Sequence, residues 1–131
     1  YYGRVLVERV EGFCEAPDWQ RAYGEINDFE QQLSDSGTLV IKFWLAITEE
    51  EQLKRFKARE ESPVKCYKLT EEDWRNRERW PDYAQAMNDM VEHCSTRQAP
   101  WHLIPAENKR YARIQALRIV CETLTDALKE H

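Results

Sequence analysis

The chain has 131 residues, of which 42% are hydrophobic and 33% charged, and its formal net charge at pH 7 is −5. This length and composition predict one α/β domain or part of one, a single unit over residues 1–131. We expect no membrane span, because no run approaches the roughly 18 consecutive apolar residues that a span needs, and no signal peptide. We also expect no binding to nucleic acid, for lack of a basic surface or a recognised module, and a cytoplasmic location.

Hydrophobic spacing predicts two helices and a strand in the first third of the chain. A first helix covers residues 2–10 and ends at Gly12. After a loop, Asp18 could cap a second helix, in which apolar residues recur at steps of three and four over 19–33. Residues 38–47 are almost continuously apolar with one charge, which is typical of a strand covered on both faces in a parallel sheet.

The remaining chain predicts four helices and a second strand. Capping-box patterns begin helices at Thr48 and at Thr70, and Pro63 ends the first of them. Pro81 suits the first turn of a third helix, which ends before a short strand at 101–104. A final helix runs from Lys109, as shown by apolar residues at steps of three and four: Ile114, Leu117, Cys121, Leu124 and Leu128.

Charge is concentrated in one segment of the chain. Nine of the nineteen Lys and Arg residues fall within residues 54–79 together with six acids, so this segment carries about +3 and the rest about −8. A cationic island in an acidic protein indicates a local anion site. We interpret residues 52–80 as a mobile arm that wraps phosphate groups.

Two pairs of cations in this segment are candidate phosphate ligands. Arg55 and Arg59 lie one helical turn apart and could hold a phosphate by bidentate contacts; the alternative is pairing with acids one turn away, such as Glu51. Lys65 and Lys68 follow Pro63 on a loop, where they could contact phosphates or serve solubility alone.

Three further cations open the final helix. Lys109, Arg110 and Arg113 oppose the helix macrodipole, which favours negative charge at an N-terminus by ~0.3–1 kcal/mol. An anion bound there would explain them; the alternative is that they are ordinary solvent-exposed side chains. No metal site is predicted, because the histidines and cysteines lack metal-ligand spacing, and no glycine-rich G-x-x-x-x-G-K-[ST] loop is present.

Seven sequence blocks, in order and in register, resemble the type-2 polyphosphate kinase family. They are YGRVLVERVEGF at 2–13, FWLAI at 43–47, EQxxRFxxR at 51–59, PxKxYK at 63–68, EDWR at 72–75, APW at 99–101 and KRYAR at 109–113. The first block resembles the branch of polyphosphate:AMP phosphotransferases in particular.

This resemblance implies the C-terminal half of a P-loop kinase-like three-layer α/β/α sandwich, predominantly helical, with about two parallel strands and the lid at 49–80. It implies phosphoryl transfer between polyphosphate and AMP or ADP, with Mg²⁺ held mainly by residues upstream of this chain. Arg55 and Arg59 would be catalytic. The phosphate-binding residues would be Lys65, Lys68, Lys109, Arg110 and Arg113.

The family's glycine-rich phosphate loop has no counterpart in these residues, so we expect them to be inactive in isolation. Two other hypotheses remain open: a non-catalytic helical module that binds an anion or a protein, and a different P-loop kinase with a small-molecule acceptor. We also expect a homo-oligomer, since an exposed sheet edge at residues 38–47 would invite pairing with another copy.

Overall fold

The structure, a computed structural model, describes residues 1–65 and 70–129, apart from the side chain of Glu72. A 3₁₀ turn, Tyr2–Val5, opens the chain. The helices and strands follow in the order α1 Val7–Val10, α2 Ala16–Asp35, β1 Lys42–Ala46, α3 Glu49–Glu61, α4 Glu71–Glu78, α5 Trp80–Cys94, β2 Trp101–Pro105 and α6 Lys109–Lys129. None of the helices in these ranges combines the length and hydrophobicity needed to cross a bilayer.

The two strands pair in parallel, with Lys42 opposite Trp101 and Ala46 opposite Pro105. Because strand side chains alternate between faces, each face of the sheet meets a different core. Trp44 packs with α2 and α5 around Met90 and Cys94, whereas Phe43 and Ile104 pack against α6 on the other face. Helices therefore cover both faces of a parallel sheet, which confirms the prediction of a mainly helical α/β chain with two parallel strands.

The start of the chain differs from the predicted single helix. Leu6, at φ −113° and ψ −92°, separates the 3₁₀ turn from α1. Helix α2 then begins at Ala16, with Glu15 as N-cap and Pro17 in its first turn, because the fixed φ of proline suits that position. The prediction that Asp18 caps α2 is therefore wrong; Asp18 lies inside the first turn and its carboxylate is 3.4 Å from the guanidinium of Arg21.

Strand β1 is shorter than the predicted strand at 38–47. Its ladder partner β2 has only five residues, so residues before Lys42 have no opposing backbone in the described part of the chain. Leu45 is 58% exposed, so the described residues do not cover the end of the strand on both faces.

Helix α6 is confirmed, but its predicted apolar stripe does not face the sheet. Ala112, Ala116 and Ile119 make that contact, whereas Leu117 is 66% and Leu128 76% exposed. The helix thus has an apolar surface on two sides, and only one of them is covered by residues that the structure describes.

A buried ion pair connects the sheet with the helices on one face. Lys42 Nζ lies 2.9 Å from Glu30 Oε1, and the side chains are only 5% and 1% exposed. The same ammonium donates to the carbonyl oxygen of Cys94. The hydroxyls of Tyr1 and Tyr2 donate to Glu30 at 2.8–3.0 Å. The contacts of this cluster join α2, β1, the end of α5 and the start of the chain.

Aromatic rings complete the surroundings of Lys42. Its ammonium lies 5.1 Å from the ring centroid of Trp101 and 5.8 Å from that of Tyr2, distances at which cation–π attraction operates. Burial, followed by the hydrogen bond to Glu30, raises the pKa of Tyr1 to about 12, and the same causes raise the pKa of Tyr2. Both hydroxyls therefore remain protonated donors at neutral pH.

Replacing Lys42 by methionine should destabilise the fold strongly. The substitution Lys42→Met removes the charge that compensates Glu30, and breaking a buried pair in this way costs about 3–5 kcal/mol. Urea unfolding of the protein containing this chain, followed by tryptophan fluorescence, measures the loss. The control Lys54→Met changes an exposed lysine and should stay within about 0.5 kcal/mol of the unmodified protein; equal losses for the two variants would contradict the role of the pair.

Candidate functional site

The predicted lid contains two capped helices that pack on each other. The hydroxyl of Thr48 accepts a hydrogen bond from the backbone N–H of Glu51, and Thr70 and Asp73 form a complete capping box at α4. The rings of Phe56 and Trp74 meet edge to face, with centroids 5.1 Å apart. These contacts confirm the two helix starts that the sequence predicts, at Thr48 and at Thr70.

Three arginines near the end of the predicted lid bind other groups of the protein, one within the lid at the start of α3 and two at the end of α1. Arg77 Nη1 donates to the carbonyl oxygen of Glu49 at 2.7 Å. Arg79 donates to the carbonyl oxygen of Val10, and Arg75 pairs with Glu11 at 3.8 Å. Part of the positive charge that marks residues 54–79 is therefore bound within the protein and is less free to attract an external anion.

Arg55 links the lid to the segment between β2 and α6. Its Nε donates to Glu51 Oε1 at 3.1 Å, and its Nη2 donates to the carbonyl oxygens of Ala106 at 2.7 Å and Glu107 at 3.0 Å. The alternative interpretation of Arg55, pairing with Glu51, is thus realised. Nη1 has no hydrogen-bond partner among the described residues, so one edge of the guanidinium keeps unused donors.

The start of α6 brings more cations to the same place. Asn108 caps the helix, since its Oδ1 accepts from the backbone N–H of Tyr111 at 3.0 Å. The first turn contains Lys109 and Arg110 and no acid. The sequence interpretation missed Asn108, although an asparagine directly before a helix start is a recognisable N-cap signal.

A cavity of about 300 Å³ lies between the lid helix and α6. It is lined by Leu45, Arg55, Ala106, Lys109, Ala112, Arg113 and Ala116. Three of the predicted site residues, from two separate elements, thus meet at one cavity that contains no carboxylate in its lining. The rest of the lining is apolar, namely Leu45 and three alanines, so the three cations are the groups that would attract an anion.

The other predicted site residues lie outside this cavity. Arg59, Lys65 and Arg110 are exposed, and no described carboxylate pairs with them. Lys68 falls outside the described residues. None of these placements assigns a role, so the roles of all seven cations stay predictions.

The cavity does not fit Mg²⁺, which prefers oxygen ligands such as carboxylates. Its charged side chains are cations, and among the described residues no group of three or more His, Cys, Asp or Glu is placed to hold a metal ion. The described residues are therefore not suited to hold Mg²⁺ on their own.

Comparison with known proteins identifies similar sequences over the whole chain. A family model described as polyphosphate kinase 2 (PPK2) matches residues 1–131. The polyphosphate:AMP phosphotransferase of Pseudomonas syringae pv. tomato is 61% identical over 127 residues, which is 97% of this chain and 26% of that protein. The polyphosphate:AMP phosphotransferase of Pseudomonas aeruginosa is 57% identical over 130 residues, which is 99% of this chain and 26% of that protein.

Solved structures give the same relationship. A crystal structure described as polyphosphate kinase 2 from Pseudomonas aeruginosa has a TM-score of 0.95 and 57% identity, and the match covers 99% of this chain and 28% of that one. This chain therefore spans about a quarter of the length of these relatives.

Removing one cation from the cavity should weaken its affinity for an anionic probe, for which polyphosphate serves in a titration of the protein containing this chain. The substitution Arg113→Gln takes away a charged donor, which is worth about 1.5–3 kcal/mol, so we expect at least a roughly tenfold loss of affinity. Calorimetric titration at several salt concentrations should also show a shallower salt dependence, because fewer counterions are released.

The matched control for this titration is Arg118→Gln, on the same helix. Arg118 is exposed and does not line the cavity, so its replacement should leave the affinity nearly unchanged. Equal losses for the two variants would point to a diffuse charge effect and contradict a site at this cavity.

Proposed function

Because the chain belongs to the polyphosphate kinase 2 family, we propose that it is the lid-bearing C-terminal half of a domain that transfers a phosphoryl group between polyphosphate and AMP or ADP. The two phosphotransferases from Pseudomonas carry names that specify polyphosphate and AMP, and they support the choice of nucleotide. The proposed complete domain is a three-layer P-loop kinase-like sandwich, located in the cytoplasm.

The observation that carries this proposal is the cavity where Arg55 of the lid helix meets Lys109 and Arg113 of α6. Phosphoryl transfer asks the protein mainly to position two negatively charged substrates and to neutralise the charge that develops between them. Cations supplied by two elements on either side of one cavity are suited to that task, because they can contact neighbouring phosphates of a chain at the same time.

We propose that the remaining predicted residues contact phosphates outside this cavity. In the proposal, Arg59 and Lys65 of the lid contact phosphates and Arg110 contributes charge at the start of α6. Lys68, which lies outside the described residues, is also proposed to contact phosphate. The ligands of Mg²⁺ and the glycine-rich phosphate loop are proposed to lie outside this chain. Mg²⁺ would screen the phosphate charges during transfer.

A coupled assay with polyphosphate, AMP and Mg²⁺ tests the proposed reaction. The full-length protein containing this chain should form ADP, whereas residues 1–131 alone should form none, because the cradle for the transferred phosphate is missing. Absence of ADP with the full-length protein would reject the enzyme in favour of a module that only binds anions or proteins. Turnover by residues 1–131 alone would contradict the prediction that the reaction needs a phosphate loop outside this chain.

The assay can also test the lid within the full-length protein. Arg59→Ala should lower kcat by about 10³-fold, the loss typical of an arginine that contacts a transferring phosphoryl group. Lys57→Ala changes another exposed cation of the same helix and serves as the control. Activity of the Arg59 variant within a few fold of the unmodified protein would remove Arg59 from the catalytic residues.

We also propose that the protein self-associates. Within the described residues β2 pairs with one edge of β1 and leaves the other edge unpaired, and unpaired edges favour pairing with further strands. Because strands outside this chain would cover that edge in the proposed complete domain, the test uses residues 1–131 alone. Sedimentation equilibrium should give a mass above that of one copy; a single-copy mass at all concentrations would reject the proposal.

A further inference from the structure

The carboxylate of Glu51, at the start of the lid helix α3, has a different partner from the corresponding acid of α4. At α4 the acid in the third helical position, Asp73, turns back and accepts from the backbone N–H of Thr70 at 3.0 Å. At α3 the sequence pattern is the same, and the backbone of Glu51 is used in the cap. Its carboxylate, however, accepts from Arg55 Nε at 3.1 Å. Only the Thr48 half of the capping box is therefore formed at α3.

Stability of the helix does not explain this arrangement. An ion pair at i,i+4 on a helix surface changes the equilibrium constant for helix formation by only about twofold. The side chains of Glu51 and Arg55 are nevertheless only 23% and 24% exposed. The carboxylate of Glu51 binds Nε of Arg55, and the carbonyls of Ala106 and Glu107 bind its Nη2. Glu51 therefore gives up the hydrogen bond to the N-cap backbone that Asp73 makes, and it orients the guanidinium of Arg55 instead.

We infer that Glu51 is a positioning residue, which holds Arg55 so that its free Nη1 edge serves an anion in the cavity that Arg55 lines. This inference rests on the proposed function, since it assigns the anion to a phosphate of the transferred chain. Glu51 does not line the cavity itself and acts only through Arg55. The carbonyls of Ala106 and Glu107 hold the guanidinium from the side of α6, so the lid helix and the start of α6 are fixed relative to each other.

The charge of Glu51 gives this role a distinctive signature. A carboxylate next to a phosphate site weakens the attraction for phosphate, because like charges repel. Its removal should therefore not raise KM for polyphosphate, and can lower it. Orientation of Arg55 matters for the transition state, so kcat should fall; a residue that merely bound substrate would show the opposite pattern.

The test uses Glu51→Gln in the full-length protein, with Glu50→Gln as the control on the same helix turn, where the side chain is exposed. We expect kcat to fall by about 10- to 100-fold, the size of a loss of alignment, with KM for polyphosphate unchanged or lower. The control should match the unmodified protein. A raised KM with unchanged kcat would overturn the inference.

A double-mutant cycle separates positioning from general support of the fold. If Glu51 acts through Arg55, adding Glu51→Gln to an Arg55→Ala variant should lower kcat no further. Independent, multiplying losses would overturn the inference.

Hydrogen exchange without substrates distinguishes failure of this inference from failure of the proposed function. Glu51→Gln should speed amide exchange in α3, Glu50→Gln should not, and the difference should vanish in the Arg55→Ala background. If the full-length protein proves inactive, these exchange rates still decide whether Glu51 holds Arg55, and unchanged exchange would reject it.

Discussion

The ion pair of Lys42 with Glu30 sets the arrangement of the sheet and of the helices on one of its faces. Both side chains are almost fully buried, and removing each charge from water costs several kcal/mol. That cost is offset only where the remaining donors and acceptors of the pair also find partners. Here the tyrosine hydroxyls donate to Glu30, and the carbonyl oxygen of Cys94 accepts from Lys42. A slip of β1 by one residue would turn Lys42 toward the apolar core under α6. The pair therefore fixes the register of the strand.

From this fixed strand the lid follows within a few residues. β1 ends at Ala46 and α3 begins at Glu49, so the end of β1 sets the direction in which the lid helix α3 starts. The backbone N–H of Ala106 donates to the carbonyl oxygen of Ala46 at 2.8 Å, and the carbonyl of Ala106 accepts from Arg55. The ends of both strands, the lid root and the start of α6 thus form one connected unit around the cationic cavity.

Positive charge in the lid has two distinct uses. Arg75, Arg77 and Arg79 bind groups within the protein and hold α4 in place, whereas Arg59 and Lys65 are exposed without a described carboxylate partner. Arg55 combines both uses. A count of charges along the chain locates the segment but overstates the number of cations free to contact a ligand, because a guanidinium also satisfies backbone carbonyls.

The sequence alone determined the order of the elements, the parallel α/β class, the helix starts at Thr48 and Thr70, and the family. Those features depend on residues within one helical turn or on motifs in register, so they can be recognised without distant contacts. The tertiary structure alone decided that Lys42 pairs with Glu30, that α6 turns its alanines toward the sheet, and that Arg55 reaches carbonyls 51 and 52 residues away. Each of these depends on which surfaces meet after folding, and hydrophobic spacing gives only the surfaces that are able to meet.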